Sequence, residues 1–243
     1  VVRRKATGFD FRAMLDLMNN ARLGVAAQGV GIAEAAVVEA IRYSRQRKQF
    51  GMPIGDQPLM KSLLSRMVVS LEGSRALLYR VSALVDRNTA IQAALARETM
   101  LSEAERAELG RGFERNQTQI RLFTPLAKYL ATESCDSITR DAIQVHGGSG
   151  FMAESTVGKL HLDGIITTIY EGTSEIQVSF ALKEMSKGAL FAALEEVAEE
   201  IESLRGRFPE LVAELRGGIE WLNKSLPADA PELWSRARRQ LEH

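Results

Sequence analysis

Apolar residues recur every three to four positions along most of the chain, and this spacing predicts helices. Four long helices are predicted, at about residues 10–43, 58–86, 120–145 and 173–187. No alternating strand pattern runs beyond a few residues. The predicted fold class is all-α, an antiparallel four-helix bundle, which residues 191–240 follow as a helical C-terminal extension broken at three prolines.

Three features modify this picture. The first predicted helix is rich in small residues between Gly24 and Ala36, which indicates a close approach to another helix or to a ligand. Residues 90–119 are polar and helix-prone, and we interpret them as a solvated helical hairpin or insertion. Because proline lacks an N–H donor, the third helix is expected to tolerate Pro125 only near its start.

Composition excludes several classes of protein. Thirty-one basic and 31 acidic residues cancel, which argues against a nucleic-acid binder. A single cysteine, Cys135, excludes an internal disulfide framework and a cysteine-cluster metal site. His146 and His161 lack the spacing and acidic company of a metal site, so we read both as structural and predict no metal.

Location and chain ends are also predicted. No apolar run approaches the roughly 18 residues of a membrane helix, so no membrane span is predicted. No secretory signal opens the chain, which favours a cytoplasmic location, or the mitochondrial matrix in a eukaryote. The chain begins at Val1 without a methionine, and residues 241–243 look like the start of a vector-encoded tag. We therefore expect a piece of a longer protein.

Three polar segments could carry chemistry. Residues 45–51 combine cations, amides and one aromatic ring, which suits phosphate recognition, although cations at a helix C-terminus are the more common explanation. Residues 144–150 are glycine-rich, which allows either a close ligand approach or, more commonly, a simple helix C-cap. In residues 169–177, Glu171 lies just before a predicted helix start. Its spacing is equally compatible with two roles, a catalytic base or a negative charge that complements the helix dipole. Ser174 and Gln177 have the spacing of a capping box at that start.

The three segments together resemble the C-terminal part of an acyl-CoA dehydrogenase. The order is Arg-x-x-Phe-Gly, then Gln-x-x-Gly-Gly-x-Gly, then Tyr-Glu-Gly-Thr-Ser-x-Ile-Gln, and the resemblance covers about residues 9–185. It implies that Glu171 is the base that removes the α-proton of an acyl-CoA thioester while the β-hydride passes to FAD. It also implies that Gly172 lies beside the thioester, with the backbone N–H of Glu171 donating to the thioester oxygen.

The resemblance assigns the remaining site residues by position. Asn19 and Arg22 match positions near the CoA moiety. The positions that match FAD contacts fall at the start of the fourth helix and in the two earlier segments. They are Thr173, Ser174 and Glu175, then Arg47, Gln49, Phe50 and Gln57, and finally Gln144, Gly147 and Gly148. The last two groups match positions that reach the FAD of a neighbouring subunit, so the resemblance implies a homodimer or homotetramer.

The chain also departs from the commoner members of that family. Residues of about 100–119 look like an insertion relative to the shorter members, and the chain also carries an extension after residue 188. Both features suggest the subgroup of longer family members. The predicted domains are a bundle over 1–188, an extension over 189–240 and a tag remnant over 241–243. Many members carry an Arg-Asp pair where this chain has Leu162-Asp163.

The family's domains that usually precede the bundle do not fit before Phe9, so the chain alone is expected to bind FAD weakly and to be inactive. The implied pathway is fatty-acid β-oxidation, with electron-transfer flavoprotein as the electron acceptor. Two alternatives stay open. One is an acyl-CoA oxidase, which uses the same base, and the other is a non-catalytic helical assembly module.

Overall fold

The computed structural model describes residues 8–97, 101–226 and 229–241. Within these ranges the chain forms nine helices and one small hairpin, so the predicted all-α class is confirmed. The helices are α1 (Gly8–Gln46), α2 (Pro58–Ala96), α3 (Glu103–His146), α4 (Gly148–Phe151), α5 (Thr156–Ile165), α6 (Ser174–Met185), α7 (Ala189–Ser203), α8 (Pro209–Ser225) and α9 (Ala230–Leu241).

Several predicted elements need correction. The third helix begins at Glu103 rather than near residue 120, so Pro125 lies deep inside it. Ile120, Leu122 and Thr124 are all buried beside the proline, and burial of this stretch outweighs the missing backbone hydrogen bond. The fourth helix, α6, has only 12 residues, and the connection before it is largely helical because α4 and α5 occupy it.

A β-hairpin also lies in the segment predicted as a polar turn. Strands β1 (Lys48–Gln49) and β2 (Met52–Pro53) pair antiparallel, with Lys48 opposite Pro53. The two turn residues, Phe50 and Gly51, both have positive φ, at 54° and 83°. This geometry matches the twist of a two-residue hairpin, and strands this short show no alternation in the sequence.

The chain divides into two compact units, and each is described separately. Unit 1 comprises Val1–Ala83 and Thr124–Gln177. Its core is formed by apolar residues of α1, α2, α3 and α5, among them Ala36, Met67, Ile138 and Val157. A Cβ atom on Gly29 would lie 3.1 Å from the carbonyl oxygen of Ala131, so α1 and α3 are in close contact there. The small-residue pattern predicted such an approach.

Unit 2 comprises Leu84–Phe123 and Val178–His243. It contains the polar stretch predicted as a hairpin or insertion, which the structure builds by lengthening α2 and α3. The buried Asn88 on α2 links this helix to α3, because its amide donates to the Phe113 carbonyl at 3.3 Å and to Gln117 Oε1 at 3.1 Å. This network makes the stretch a packed part of unit 2 rather than a fully solvated one. The predicted domain division at residues 188 and 240 stays a prediction.

One helical stretch in the described part of the chain, Ala21–Gln46, is long and apolar enough to cross a membrane by length and composition alone. The prediction from apolar runs missed it, because charged residues interrupt it while its many alanines raise its hydropathy. Ala26, Val30 and Ala33 from this stretch are buried in the core of unit 1. We therefore assign it to that core.

Candidate functional site

The backbone around Glu171 forms an unusual turn just before α6. Glu171 has φ of 57° although it carries a side chain, and Gly172 follows with φ of 96°. Outside glycine a positive φ is uncommon and costs conformational energy, so surrounding contacts must hold it. A Cβ atom on residue 172 would lie 2.8 Å from Gln177 Nε2, which leaves room only for glycine.

Three side chains from three helices hold this turn by its carbonyl oxygens. Gln177, buried at the start of α6, donates to the carbonyls of Glu171 at 3.1 Å and of Gly172 at 2.9 Å. Lys128 on α3 donates from Nζ to the Gly172 carbonyl at 2.8 Å and to the Thr168 carbonyl at 3.1 Å. Arg22 on α1 donates from Nε to the Glu171 carbonyl at 3.4 Å.

Two buried cations therefore lie beside the Glu171 carboxylate. Burial lowers the pKa of Arg22, and the attraction of Glu171 opposes this. Burial also lowers the pKa of Lys128. The carboxylates of Glu133 and Glu171 oppose the shift, while Arg22 adds to it. The site thus concentrates positive charge where a carboxylate, or a negative charge developing on a ligand, would be stabilised.

The tyrosine before Glu171 ties the turn to α1 as well. The Tyr170 hydroxyl donates to the side-chain oxygen of Gln28. Burial raises the pKa of Tyr170, and the neighbouring Glu171 carboxylate raises it further. A protonated hydroxyl is the form that can donate this bond, so both influences favour the observed contact.

The polar side chains at the start of α6 do not form the predicted capping box. The Ser174 hydroxyl donates to Glu133 on α3, and the Gln177 amide donates to the turn, so both are engaged elsewhere. Instead, Glu175 accepts hydrogen bonds from its own backbone N–H and from the Thr173 side chain, which lower its pKa. Thr173 and Glu175 are both exposed.

A second group of predicted residues lines one open cavity of about 660 Å³. Five predicted residues line this cavity: Arg47 and Gln49 on one side, and Gln144, Gly147 and Gly148 on the other. The two sides are at least 95 positions apart in the sequence. One wall comes from the end of α1 and the hairpin, and the other from the end of α3. Guanidinium and side-chain amide donors suit a phosphate-bearing ligand, and the glycines at the cavity wall let such a ligand approach closely.

The other predicted cofactor residues lie outside this cavity. Phe50 is exposed at the tip of the hairpin, with 88% of its surface accessible. Gln57 precedes α2, and its carbonyl accepts the Lys61 backbone N–H at 3.0 Å. Asn19 belongs to α1, but its side chain lies outside the described residues.

His146, His161 and Cys135 are engaged in structural contacts or buried. His146 stacks on Tyr43 at 4.2 Å between ring centroids and pairs through Nδ1 with the Ala142 carbonyl. His161 lies 2.9 Å from the Thr139 hydroxyl. Burial raises the pKa of Cys135 to about 12, which keeps the thiol protonated. Among the described residues no cluster of three potential ligands could hold a metal.

The glycine-rich loop at residues 147–150 offers a matched pair of substitutions. In Gly150→Ala the new Cβ would lie 2.8 Å from the Ile143 carbonyl oxygen and 2.9 Å from His146 Cβ. We expect a loss of about 1–3 kcal/mol in unfolding free energy, because the backbone atom it meets cannot move freely. Gly148→Ala meets nothing within 4 Å and is expected to change stability by less than about 0.5 kcal/mol. Thermal unfolding of the two full-length variants checks this difference, and equal losses would contradict it.

Lys128 is the residue of the site that the sequence prediction missed. A lysine in a polar-looking helix is usually solvated, so it attracted no assignment. However, the buried Ala142 and Cys135 lie on one side of α3, and a further step of seven residues leads to position 128. A lysine on a buried stripe is the signal that could have revealed it.

Comparison with known proteins gives the family. A model of the acyl-CoA dehydrogenase C-terminal domain matches residues 11–105 and 88–186, which together span most of the chain. The caffeyl-CoA reductase-Etf complex subunit CarC of Acetobacterium woodii is 32% identical over 167 residues, which are 69% of this chain and 36% of that protein.

Two solved structures agree. The FAD complex of the Bacillus anthracis acyl-CoA dehydrogenase has 26% identity and a TM-score of 0.58, over 79% of this chain and 31% of that one. Caenorhabditis elegans ACDH-11 in complex with C11-CoA, at 21% identity, shows the fold alone, with a TM-score of 0.69 over 90% of this chain and 35% of that one. The chain spans little more than a third of the length of the curated relatives it matches. The chain therefore belongs to the acyl-CoA dehydrogenase family, in which residues 11–186 correspond to the C-terminal domain.

Proposed function

We propose that the chain is the base-bearing part of a flavin-dependent acyl-CoA dehydrogenase. The reaction removes a proton from the α-carbon and a hydride from the β-carbon of an acyl-CoA thioester, which leaves an α,β double bond. The observation that carries this proposal is the turn that holds Glu171 at φ of 57°, with its carbonyls fastened by Gln177, Lys128 and Arg22. A base must be held at a defined position to meet one particular C–H bond.

Glu171 takes the α-proton on its carboxylate in this proposal. We infer that the backbone N–H of Glu171 donates to the thioester oxygen. Negative charge develops on that oxygen as the proton leaves. Gly172 leaves room for the thioester, and Asn19 and Arg22 are proposed to lie near the CoA portion.

FAD is the cofactor in this proposal, and when bound it accepts the hydride from the β-carbon. The cavity lined by Arg47, Gln49, Gln144, Gly147 and Gly148 fits part of such a ligand, because its cationic and amide donors match the oxygens of a pyrophosphate. Gly147 has φ of 59°, so its backbone turns sharply at the cavity wall. The cavity residues, with Phe50 and Gln57, are proposed to reach the FAD of a neighbouring subunit. Thr173, Ser174 and Glu175 are proposed to contact the flavin at the start of α6.

Electron-transfer flavoprotein is the proposed electron acceptor. The name of the Acetobacterium woodii relative places that protein in a complex with Etf. The same relative is a reductase of caffeyl-CoA by name, so fatty-acid β-oxidation stays a prediction for this chain. The predicted homodimer or homotetramer and the predicted cytoplasmic or matrix location also stay predictions.

Anaerobic mixing of the full-length protein with a panel of straight, branched and aromatic acyl-CoA thioesters tests the function. We expect at least one thioester to bleach the flavin absorbance, with reoxidation by electron-transfer flavoprotein faster than by oxygen. Faster reoxidation by oxygen would make the enzyme an oxidase. Failure of every thioester to reduce bound flavin would contradict the proposal and favour a non-catalytic assembly module. Residues 1–243 alone are proposed to retain FAD weakly and to be inactive.

Arg47→Ala tests the proposed FAD cavity. We expect FAD retention to fall about tenfold or more, because a hydrogen bond to a charged group contributes about 1.5–3 kcal/mol. The unfolding midpoint of the FAD-free protein should be unchanged, since the Arg47 side chain is exposed. Flavin content after extensive dialysis measures the effect. Arg42→Ala, on the same helix end and paired at the surface with Glu39 at 2.9 Å, is the control. Equal flavin content in both variants would contradict the assignment.

A further inference from the structure

Lys128 lies on α3 with no part of its surface accessible, yet it carries an amino group. Its Nζ donates to two backbone carbonyls, Thr168 at 3.1 Å and Gly172 at 2.8 Å. Removing a cation from water is expensive, and such burial is tolerated only where good hydrogen bonds compensate it. The two carbonyls are therefore a substantial part of what keeps this side chain inside the protein.

The two acceptors stand on either side of Glu171. Thr168 ends a short 3-10 turn, Gly172 precedes α6, and the segment between them carries the positive φ at Glu171. Lys128 comes from 40 and 44 positions earlier in the chain, so its bonds fix both ends of the segment against α3. Gln177 and Arg22 donate to the C-terminal side of the segment, at the carbonyls of residues 171 and 172. Lys128 bridges the segment, because its two acceptors lie at opposite ends of it.

The surroundings of Lys128 support a role beyond packing. Glu133 lies about one turn further along α3 and attracts the Lys128 cation, while it also accepts the Ser174 hydroxyl. This carboxylate thereby links α3 to the first residue of α6. The lysine and the glutamate together connect α3 to both ends of the stretch that runs from Thr168 to Ser174.

We infer that Lys128 is a positioning residue, which ties the Thr168 and Gly172 carbonyls together and thereby sets where the Glu171 carboxylate lies. The inference rests on the proposed function, because it assigns Lys128 a part in proton removal by Glu171. The hydrogen bonds of Lys128 go to the backbone of the turn, so its removal should slow the chemistry while leaving substrate binding largely intact.

The test is Lys128→Met in the full-length protein, since methionine has similar length without a donor. We expect kcat to fall about tenfold or more with KM changed less than about threefold, because displacement of a catalytic group by about 1 Å costs up to a hundredfold. The primary isotope effect with α-deuterated substrate should rise, and amide hydrogen exchange of residues 166–176 should accelerate.

Thr132→Val is the matched control. Thr132 is equally buried one turn further along α3, and its hydroxyl bonds only to that helix, at the Lys128 carbonyl at 2.9 Å and the Tyr129 carbonyl at 3.4 Å.

The outcomes separate this inference from the proposed function. Unchanged kcat, isotope effect and exchange in Lys128→Met would overturn the inference, as would the same changes in Thr132→Val. If the wild-type protein reduces no flavin with any thioester, the proposed function fails, and the part of the inference that concerns catalysis fails with it. The exchange of residues 166–176 then still decides whether Lys128 holds the turn. If Lys128→Met does not fold, Lys128→Gln keeps an amide donor and is expected to show the same pattern with a smaller loss.

Discussion

Glu171→Gln is expected to slow reduction of the flavin by an acyl-CoA about 100- to 10,000-fold, the usual contribution of a positioned general base. Glutamine has nearly the same shape as glutamate, so the turn and its carbonyl contacts should persist. Its amide cannot accept the α-proton, however, and the chemical step loses its base. Stopped-flow absorbance at saturating thioester, with the full-length protein under anaerobic conditions, measures that step directly.

The control for this variant is Glu72→Gln. Glu72 is exposed on α2 and pairs at the surface with Arg75 at 2.5 Å, so the substitution removes the same charge far from the turn. Its rate of flavin reduction should stay within about twofold of the wild type, since exposed pairs contribute little. Flavin content should be equal in both variants. A Glu171→Gln enzyme that reduces its flavin at the wild-type rate would remove Glu171 from the mechanism.

Gly172→Ala is expected to have the second-largest effect. The new Cβ would lie 2.8 Å from Gln177 Nε2 and 3.1 Å from Ile176 Cγ2, at a φ of 96° that side-chain-bearing residues rarely adopt. Gln177 cannot retreat without cost, because it is buried and holds two carbonyls of the same turn. We expect a loss of about 1–3 kcal/mol in stability and a fall in kcat of about a hundredfold, because the base is displaced.

Gly31→Ala is the control for the glycine substitution. Gly31 lies on α1, and a Cβ atom added there would meet nothing within 4 Å, so alanine is accommodated. Alanine should raise helix stability by up to about 1 kcal/mol and leave kcat unchanged. Thermal unfolding and steady-state kinetics of both variants provide the comparison. If Gly172→Ala keeps both wild-type stability and wild-type kcat, the turn is less constrained than its contacts indicate.

The sequence revealed those parts of the molecule that repeat or that carry rare residue combinations. The spacing of apolar residues located α1 and α2, and the Tyr-Glu-Gly-Thr-Ser segment located the turn at Glu171. Local signals of this kind do not depend on distant contacts. The family resemblance, rather than the local pattern, assigns the glycines at 147 and 148 and the Arg47 segment to one ligand, and they line one cavity.

Features that depend on distant contacts were missed. Lys128 looks solvated until the Thr168 and Gly172 carbonyls are seen beside it, 40 and 44 positions away. The side-chain partners of Ser174 and Gln177 differ from a capping box for the same reason, because tertiary acceptors replaced the local ones. Pro125 was expected near a helix start since local chemistry disfavours it elsewhere, and only the burial of its neighbours explains its place inside α3.

The contact between Gly29 and Ala131 bears on how this protein could be redesigned. Arg22 and Lys128 belong to the two helices that meet there, and both lie within two turns of the contact. Because position 29 carries no side chain, the two helices that bear the cations beside Glu171 can approach closely there. Mutational libraries along α1 should therefore spare this glycine, whereas Gly24 and Gly31, where an added Cβ atom meets nothing within 4 Å, should accept alanine.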